Sequence, residues 1–175
     1  MSLLPILRQA EIFYDLSPTQ LELIASIAQE KQYSANDLLF AENTRGDGLY
    51  VIANGEVQIQ VNQSVVMSHQ EEQFYTIATL RRGQSFGEIA LVDEGLRSAS
   101  ARVTQHDTQL IWIPRDKLML LCDSYPQLGY RMMRNLAADL AMKIRSTDMQ
   151  VRDKLTWLHA SPSQSPTETQ SPQAS

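Results

Sequence analysis

The spacing of hydrophobic residues changes twice along the chain, from a helical period to a strand period and back. Residues 9–30 read as helix. Ser17-Pro18-Thr19-Gln20 supplies an N-cap serine, a proline at the first helical position and a glutamine at the third, a capping-box pattern. Leu21, Ile24, Ala25 and Ala28 then recur at helical spacing. From Lys31 to about Pro114 the pattern shortens to alternating or β-branched runs broken by Gly, Asn and Asp. Tyr33, Leu38–Phe40, Leu49–Ile52, Val57–Val61, Val65–Met67, Phe74–Leu80, Ser98–Val103 and Leu110–Ile113 are predicted strands. That many short strands with turn signals between them predict a sandwich or barrel. The polar, glutamine-rich stretch from Asn62 to Gln73 is predicted to be a mobile hairpin end.

The last third is helical again. Asp116 to Tyr125 gives a short helix, which Tyr125-Pro126 breaks. From Gln127 an apolar stripe runs through Met133, Leu136, Leu140, Ile144, Thr147, Val151, Leu155 and Leu158. Spacings of three and four sustained that far exceed what one face of a small domain absorbs. The stripe therefore predicts a partner helix, most simply the same helix of a second copy. Asn135 and Asp139 lie near that seam, where they would fix register or limit stability. After Leu158 the Ser-, Pro- and Gln-rich stretch has no apolar periodicity and is expected to be disordered. The domain reading is a helical segment over 1–30, a β-roll over 31–114, helices over 115–159 and a polar tail over 160–175.

Composition narrows the function classes. The net charge of −5 is uneven, with nine Lys and Arg against sixteen Asp and Glu over residues 1–125, and six against four over 126–175. An acidic body argues against nonspecific nucleic-acid binding, whose affinity comes from neutralising phosphates. An anionic ligand would need a local, sheltered cation. No apolar run reaches the length of a membrane span, and Leu3–Leu7 is too short for a secretory signal. The single cysteine, Cys122, excludes an internal disulfide and fits a reducing, cytoplasmic setting. It reads as a small buried side chain on a helix.

The chemistry concentrates in Phe86-Gly87-Glu88-Ile89-Ala90-Leu91 and, nine residues after Glu88, Arg97-Ser98-Ala99-Ser100-Ala101. A turn opening on Gly87 can direct free backbone N–H groups at one spot, because the first turn of a helix leaves its donors unpaired. Arg97 adds a planar, permanently charged fork that matches phosphate geometry. Glu88 would repel a bare anion, but it suits a ligand that also carries a hydroxyl. Phosphate plus ribose hydroxyl means a nucleotide.

This constellation resembles the phosphate-binding cassette of cyclic-nucleotide-binding domains, the family of the catabolite activator protein and the regulatory subunits of protein kinase A. The resemblance spans roughly residues 12 to 150. Ile12–Ser17 with Leu21, Ile24 and Ala25 looks like the family's entry helix, and Asp47–Ile52 with Gly55-Glu56-Val57 like its paired strands. Leu80 and Gly83 occupy the turn before the cassette. The resemblance implies an α+β, mainly β fold: an antiparallel double-stranded β-helix or jelly-roll barrel between an N-terminal helix and C-terminal helices, the last one long. It places the cassette at 86–101.

The resemblance also implies roles. Arg97 would pair with the cyclic phosphate, and the backbone N–H groups of Ala90, Ser98 and Ile89 would complete the anion nest. Glu88, with the backbone at Gly87, would accept the ribose 2′-hydroxyl. Ala99 and Ser100 would lie against the phosphate, Ile59, Ile77 and Ala78 on the wall facing the base, and Leu91 at an apolar switch position. Leu96 stands where the eukaryotic kinase subunits commonly have proline. Ser98 stands where cAMP-selective eukaryotic sites have alanine and cGMP-selective ones a hydroxyl, although the bacterial activator also has serine. The positions that touch adenine in the bacterial activator fall near Lys143 and Ile144, without its Thr-Ser pair. The implied ligand is cAMP, with cGMP as the alternative, and no cofactor is expected.

The expected function is a sensor that couples ligand binding to its C-terminal helices and to an unidentified protein partner, as a homodimer through the long helix. No helix-turn-helix pattern follows that helix, so no DNA binding is expected. The alternative is a nonbinding dimerisation or scaffold domain of the same fold. Catalysis is not expected: His69, His106 and His159 are scattered, with no metal-ligand clustering and no Ser-His-Asp or Cys-His arrangement.

Overall fold

The computed structural model describes residues 3–62, 74–93 and 95–160, and the side chains of Lys154 and residues 157–160 are not described. The expected strand at Val65–Met67, most of the hairpin end before Gln73, and the tail after Ala160 lie outside the described residues.

Among the described residues, eight strands form two antiparallel four-stranded sheets. They are β1 (Gln29–Tyr33), β2 (Leu38–Phe40), β3 (Gly48–Asn54), β4 (Glu56–Asn62), β5 (Phe74–Arg81), β6 (Ser85–Phe86), β7 (Ser100–Val103) and β8 (Thr108–Pro114). One sheet has the order β1-β8-β3-β6, the other β2-β7-β4-β5. Their facing surfaces share a core of Tyr50, Ile52, Phe86 and Leu110 from the first sheet with Val57, Ala101 and Val103 from the second. The two-period of a strand sends alternate residues to opposite faces. On the first sheet the other face carries Leu49, Val51, Ile111 and Ile113, all fully buried. Helices cover it: α2 (Pro18–Ile27) and α4 (Arg115–Ser124) both pack on β8. The jelly-roll expectation holds.

The expected continuous helix over 9–30 is three pieces. Helix α1 (Leu4–Gln9) ends at an extended Ala10, and a 3-10 turn follows at Glu11–Phe13. Asp15 adopts φ +60° and Ser17 is the extended N-cap, so the backbone cannot run helically into α2. The capping box forms as the sequence reads: Gln20 N donates to Ser17 Oγ at 3.3 Å, and Ser17 N to Gln20 Oε1 at 2.9 Å. Beyond Ile27 the chain turns extended at Ala28, and Gln29 and Glu30 pair with Trp112 and Ile111. Helical spacing of small apolar residues does not reveal that switch.

Helix α5 spans Pro126–Ala160, and the chain divides into two compact units at Asp139 and Leu140. Within the first unit, Leu128, Met132 and Leu136 form the buried face at i, i+4 spacing. Asn135, expected at an inter-helix seam, instead donates through Nδ2 to the carbonyls of Ile12 (3.2 Å) and Tyr14 (2.7 Å). Arg131, one turn earlier, bonds the carbonyl of Asp15. These two side chains satisfy carbonyls that the short 3-10 turn cannot bond itself. In the second unit the helix exposes Met142, Ile144, Met149, Val151 and Leu155. Among the described residues, no helix is long and apolar enough to cross a membrane.

The core contains ionisable groups whose titration is shifted. Tyr50 stacks on Phe86, with ring centroids 5.1 Å apart and an interplanar angle of 8°. Burial, then the nearby Asp47 carboxylate, pushes its hydroxyl well above the ordinary 10.0. The folded state therefore holds this proton more tightly than the unfolded chain does. Stability from this site is intact below the unfolded tyrosine value and is lost as pH rises beyond it. Denaturant midpoints are expected to be level up to about pH 9 and to fall by about pH 11, with phenolate absorbance from Tyr50 appearing only on unfolding. A midpoint unchanged over that interval would contradict this placement. Cys122 is free and buried, and burial, then Asp123, pushes its thiol up, which makes it a poor nucleophile.

Candidate phosphate-binding site

The segment between β6 and β7 builds the site. After Phe86, Gly87 takes φ +79°, a conformation that an L side chain adopts only under strain. That turn starts the single-turn helix α3 (Ile89–Val92) and buries Glu88 and Ala90, 5% exposed each, while Ile89 remains exposed. Leu91 is buried beneath, where the expected apolar switch residue belongs. The chain then returns through Leu96 and Arg97, whose backbones pair with the 43–45 loop: Arg97 N donates to Thr44 O at 2.7 Å, and Asn43 N to Arg97 O at 2.8 Å. This pairing is why β7 begins at Ser100 rather than at the expected Ser98. Ser98 is exposed, whereas Ala99 and Ser100 are buried. The Ser100 hydroxyl accepts from Glu42 N at 2.9 Å.

Arg97 is only 7% exposed. Its Nη2 reaches Asp47 Oδ1 at 3.1 Å and Gly48 O at 3.2 Å, and its Nη1 reaches Gly87 O at 3.1 Å. The guanidinium lies over the Phe40 ring, 4.1 Å from its centroid. Its Nε is buried without a hydrogen-bond partner among the described residues. A buried, permanently charged group with one uncommitted donor is an unusual expense in a core, and it marks a place where an anion would be favoured. The close approach of Gly46 has the same centre: a Cβ there would meet Ala90 Cβ at 2.4 Å and Arg97 Cζ at 3.4 Å.

The second sheet supplies a wall. Ile59 pairs with Ala78 on β5 and with Ala101 on β7, so the three share the inward face, and two of them are alanines that leave room above the sheet. Ile77 sits at the register shift between Ile59 and Gln60 and is 44% exposed. The structure thus brings Gly87, Glu88, Ala90, Arg97 and Ala99 into one cassette and sets Ala78 on a neighbouring inner wall. Lys143 and Ile144 lie in the second unit of the chain. Three residues that hold Arg97, namely Phe40, Asp47 and Gly48, were absent from the expected site. Asp47-Gly48 stood in the sequence as a strand-pair motif, and only tertiary placement ties it to an arginine fifty residues on. Among the described residues, no three His, Cys, Asp or Glu side chains cluster as metal ligands would.

Comparison with known proteins fits this geometry. The cyclic nucleotide-binding domain family model matches residues 30–125. The "Cyclic AMP receptor protein" of Thermus thermophilus is 32% identical over 145 residues, which are 83% of this chain and 62% of that protein. The fly "cGMP-dependent protein kinase, isozyme 2" is 29% identical over 126 residues, covering 71% of this chain and 11% of the kinase. The chain therefore spans less than two thirds of either relative. A cyclic nucleotide-binding domain from Methylobacillus flagellatus superposes with a TM-score of 0.73 at 26% identity, covering 87% of this chain and 82% of that one. A cassette held on two antiparallel sheets and a family match over more than half its length agree, and the chain belongs to the cyclic nucleotide-binding domain family.

Proposed function

We propose that the chain is a sensor that binds a cyclic nucleotide, cAMP in preference to cGMP, and passes the bound state to its C-terminal helices. The observation that carries this reading is a buried guanidinium and a buried carboxylate, Arg97 and Glu88, on the two limbs of the segment that opens at Gly87. A cyclic phosphate brings one negative charge to Arg97, whose Nε is the uncommitted donor, and to the N–H groups of Ile89, Ala90 and Ser98. Glu88, beside the Gly87 backbone, accepts the ribose 2′-hydroxyl. The base rests on Ile59, Ile77 and Ala78, with Ala99 and Ser100 toward the phosphate. The preference for cAMP is supported by the higher identity to the Thermus receptor than to the fly kinase, while Ser98 suits either base.

In this reading the protein acts as a homodimer through α5, whose exposed Met142, Ile144, Met149, Val151 and Leu155 give a second copy an apolar surface. A protein partner receives the signal. Binding acts by differential affinity for two helix arrangements.

Calorimetric titration of the full chain with cAMP and with cGMP, alongside sedimentation, tests the reading. Saturable binding to a dimer, tighter for cAMP, is the expected result. One observation favours a second reading: the Arg97 fork is already filled by Asp47, Gly48 and Gly87. A dimer that binds neither nucleotide would establish that alternative, a scaffold domain of the same fold in which Arg97 is structural.

A further inference from the structure

Arg115 is the first residue of α4, and its side chain reaches back to the cassette. Its Nε donates to the carbonyl of Ala90 at 2.7 Å, a distance in the range of charge-assisted hydrogen bonds. Its own backbone N–H donates to the carbonyl of Asp47 at 3.0 Å. Nη1 lies 3.7 Å from Asp116 Oδ1, a pair too exposed to matter for the position of the side chain. One residue therefore grips both pieces of backbone that frame the site: the single-turn helix α3, and the turn whose carboxylate holds Arg97.

The grip falls where a short helix is weakest. Helix α3 is one turn, closed by Ala90 N to Gly87 O at 3.3 Å and by Leu91 N to Glu88 O and Asp93 N to Ile89 O, both at 2.9 Å. So short a helix leaves carbonyls at its C-terminal end without intrahelical donors, and a guanidinium there both satisfies one and suits the local partial negative charge. A ligand anion would draw on the cassette backbone while Arg115 holds the Ala90 carbonyl of α3. Any displacement of α3 is then shared with the first turn of α4, which buries Leu118 and Cys122 and leads through Tyr125 into α5.

We propose that Arg115 is the positioning residue that couples the cassette helix to α4, through its hydrogen bond to the Ala90 carbonyl. The proposal rests on the cyclic-nucleotide reading above and adds the route by which that site is heard elsewhere. The test is hydrogen exchange on the full chain, with and without saturating cAMP or cGMP, for the wild type, Arg115→Ala and Arg115→Lys, with affinities measured in parallel. Without ligand, amides over Ile89–Asp93 are expected to exchange about tenfold faster in Arg115→Ala, the scale of one lost hydrogen bond to a charged group. Nucleotide affinity is expected to fall by only about three- to tenfold, because the residue does not touch the ligand. Ligand is expected to slow exchange across Leu118–Cys122 in the wild type, to leave it unchanged in saturated Arg115→Ala, and to slow it again in Arg115→Lys, which retains a cationic donor.

A merely structural role would lower stability yet keep the ligand-induced slowing. That slowing persisting in saturated Arg115→Ala would overturn the proposal, as would a wild type that binds nucleotide without any change in α4. A wild type that binds neither nucleotide would overturn the functional reading itself, and the coupling with it. Unchanged α3 exchange in the ligand-free variant would count against the grip independently of any ligand.

Discussion

Arg97→Ala is expected to lose cyclic-nucleotide binding by about 2–5 kcal/mol, roughly 30- to 5,000-fold, the scale for truncating one partner of a buried, hydrogen-bonded charge pair. The guanidinium is a buried cation, and its Nε has no hydrogen-bond partner among the described residues. Its removal also strands the Gly48 carbonyl and leaves the Gly87 carbonyl with only the Ala90 N–H, at 3.3 Å. Folding stability should therefore drop by about 1–3 kcal/mol as well, the usual penalty for an unsatisfied buried group. Arg97→Lys separates the two effects. It keeps the charge but loses the fork, so it cannot serve Asp47 and both carbonyls together, and an intermediate affinity is expected. Calorimetry read beside a urea denaturation curve checks both quantities. Wild-type affinity in a folded Arg97→Ala protein would remove Arg97 from the site and leave it a core residue.

What the sequence reveals about this molecule follows the range over which each signal acts. The capping box at Ser17 and Gln20 closes over three residues, and it forms as read. Strand β4 carries its own alternation, β3 and β8 are apolar runs, and all three lie where expected to within about two residues. Strand β6 is two residues long, too short to show a period, and only its Phe86 falls in the expected cassette. The helical stripe of α5 was legible, but not which face of it meets what. Leu128, Met132 and Leu136 form its buried face, and Asn135 beside them reaches the carbonyls of Ile12 and Tyr14. The site divides in the same way. Gly87, Glu88 and Arg97 stand within eleven residues and declare themselves together. Phe40 and Asp47 enter only because β2 and the start of β3 close over the arginine, and no local spacing encodes that closure.

Gly87→Ala is the second large effect expected, and another glycine supplies its control. At φ +79° an alanine is strained by roughly 1–3 kcal/mol whatever surrounds it. The surroundings add to this. A Cβ at residue 87 would stand 2.6 Å from Arg97 Nη1 and 3.0 Å from the Gly48 carbonyl oxygen. The first is the end of a long side chain, but that end is pinned by three acceptors, and the second is backbone. Relief therefore requires the guanidinium to leave the Gly87 carbonyl, or the Gly87 turn to open away from the start of β3. Either movement displaces the cation and the anion-facing helix relative to one another, so binding should fall by at least about tenfold in addition to the loss of stability. Gly83 has nearly the same conformation, φ +84°, but a Cβ there would meet only the Gln9 carbonyl oxygen, at 3.7 Å. Gly83→Ala is expected to show the strain alone: a lower denaturation midpoint with nucleotide affinity within about twofold of wild type. The difference between the two variants isolates the contact with Arg97. Equal affinities for the pair, both folded, would mean that the fit of Gly87 against the guanidinium has no part in holding the ligand.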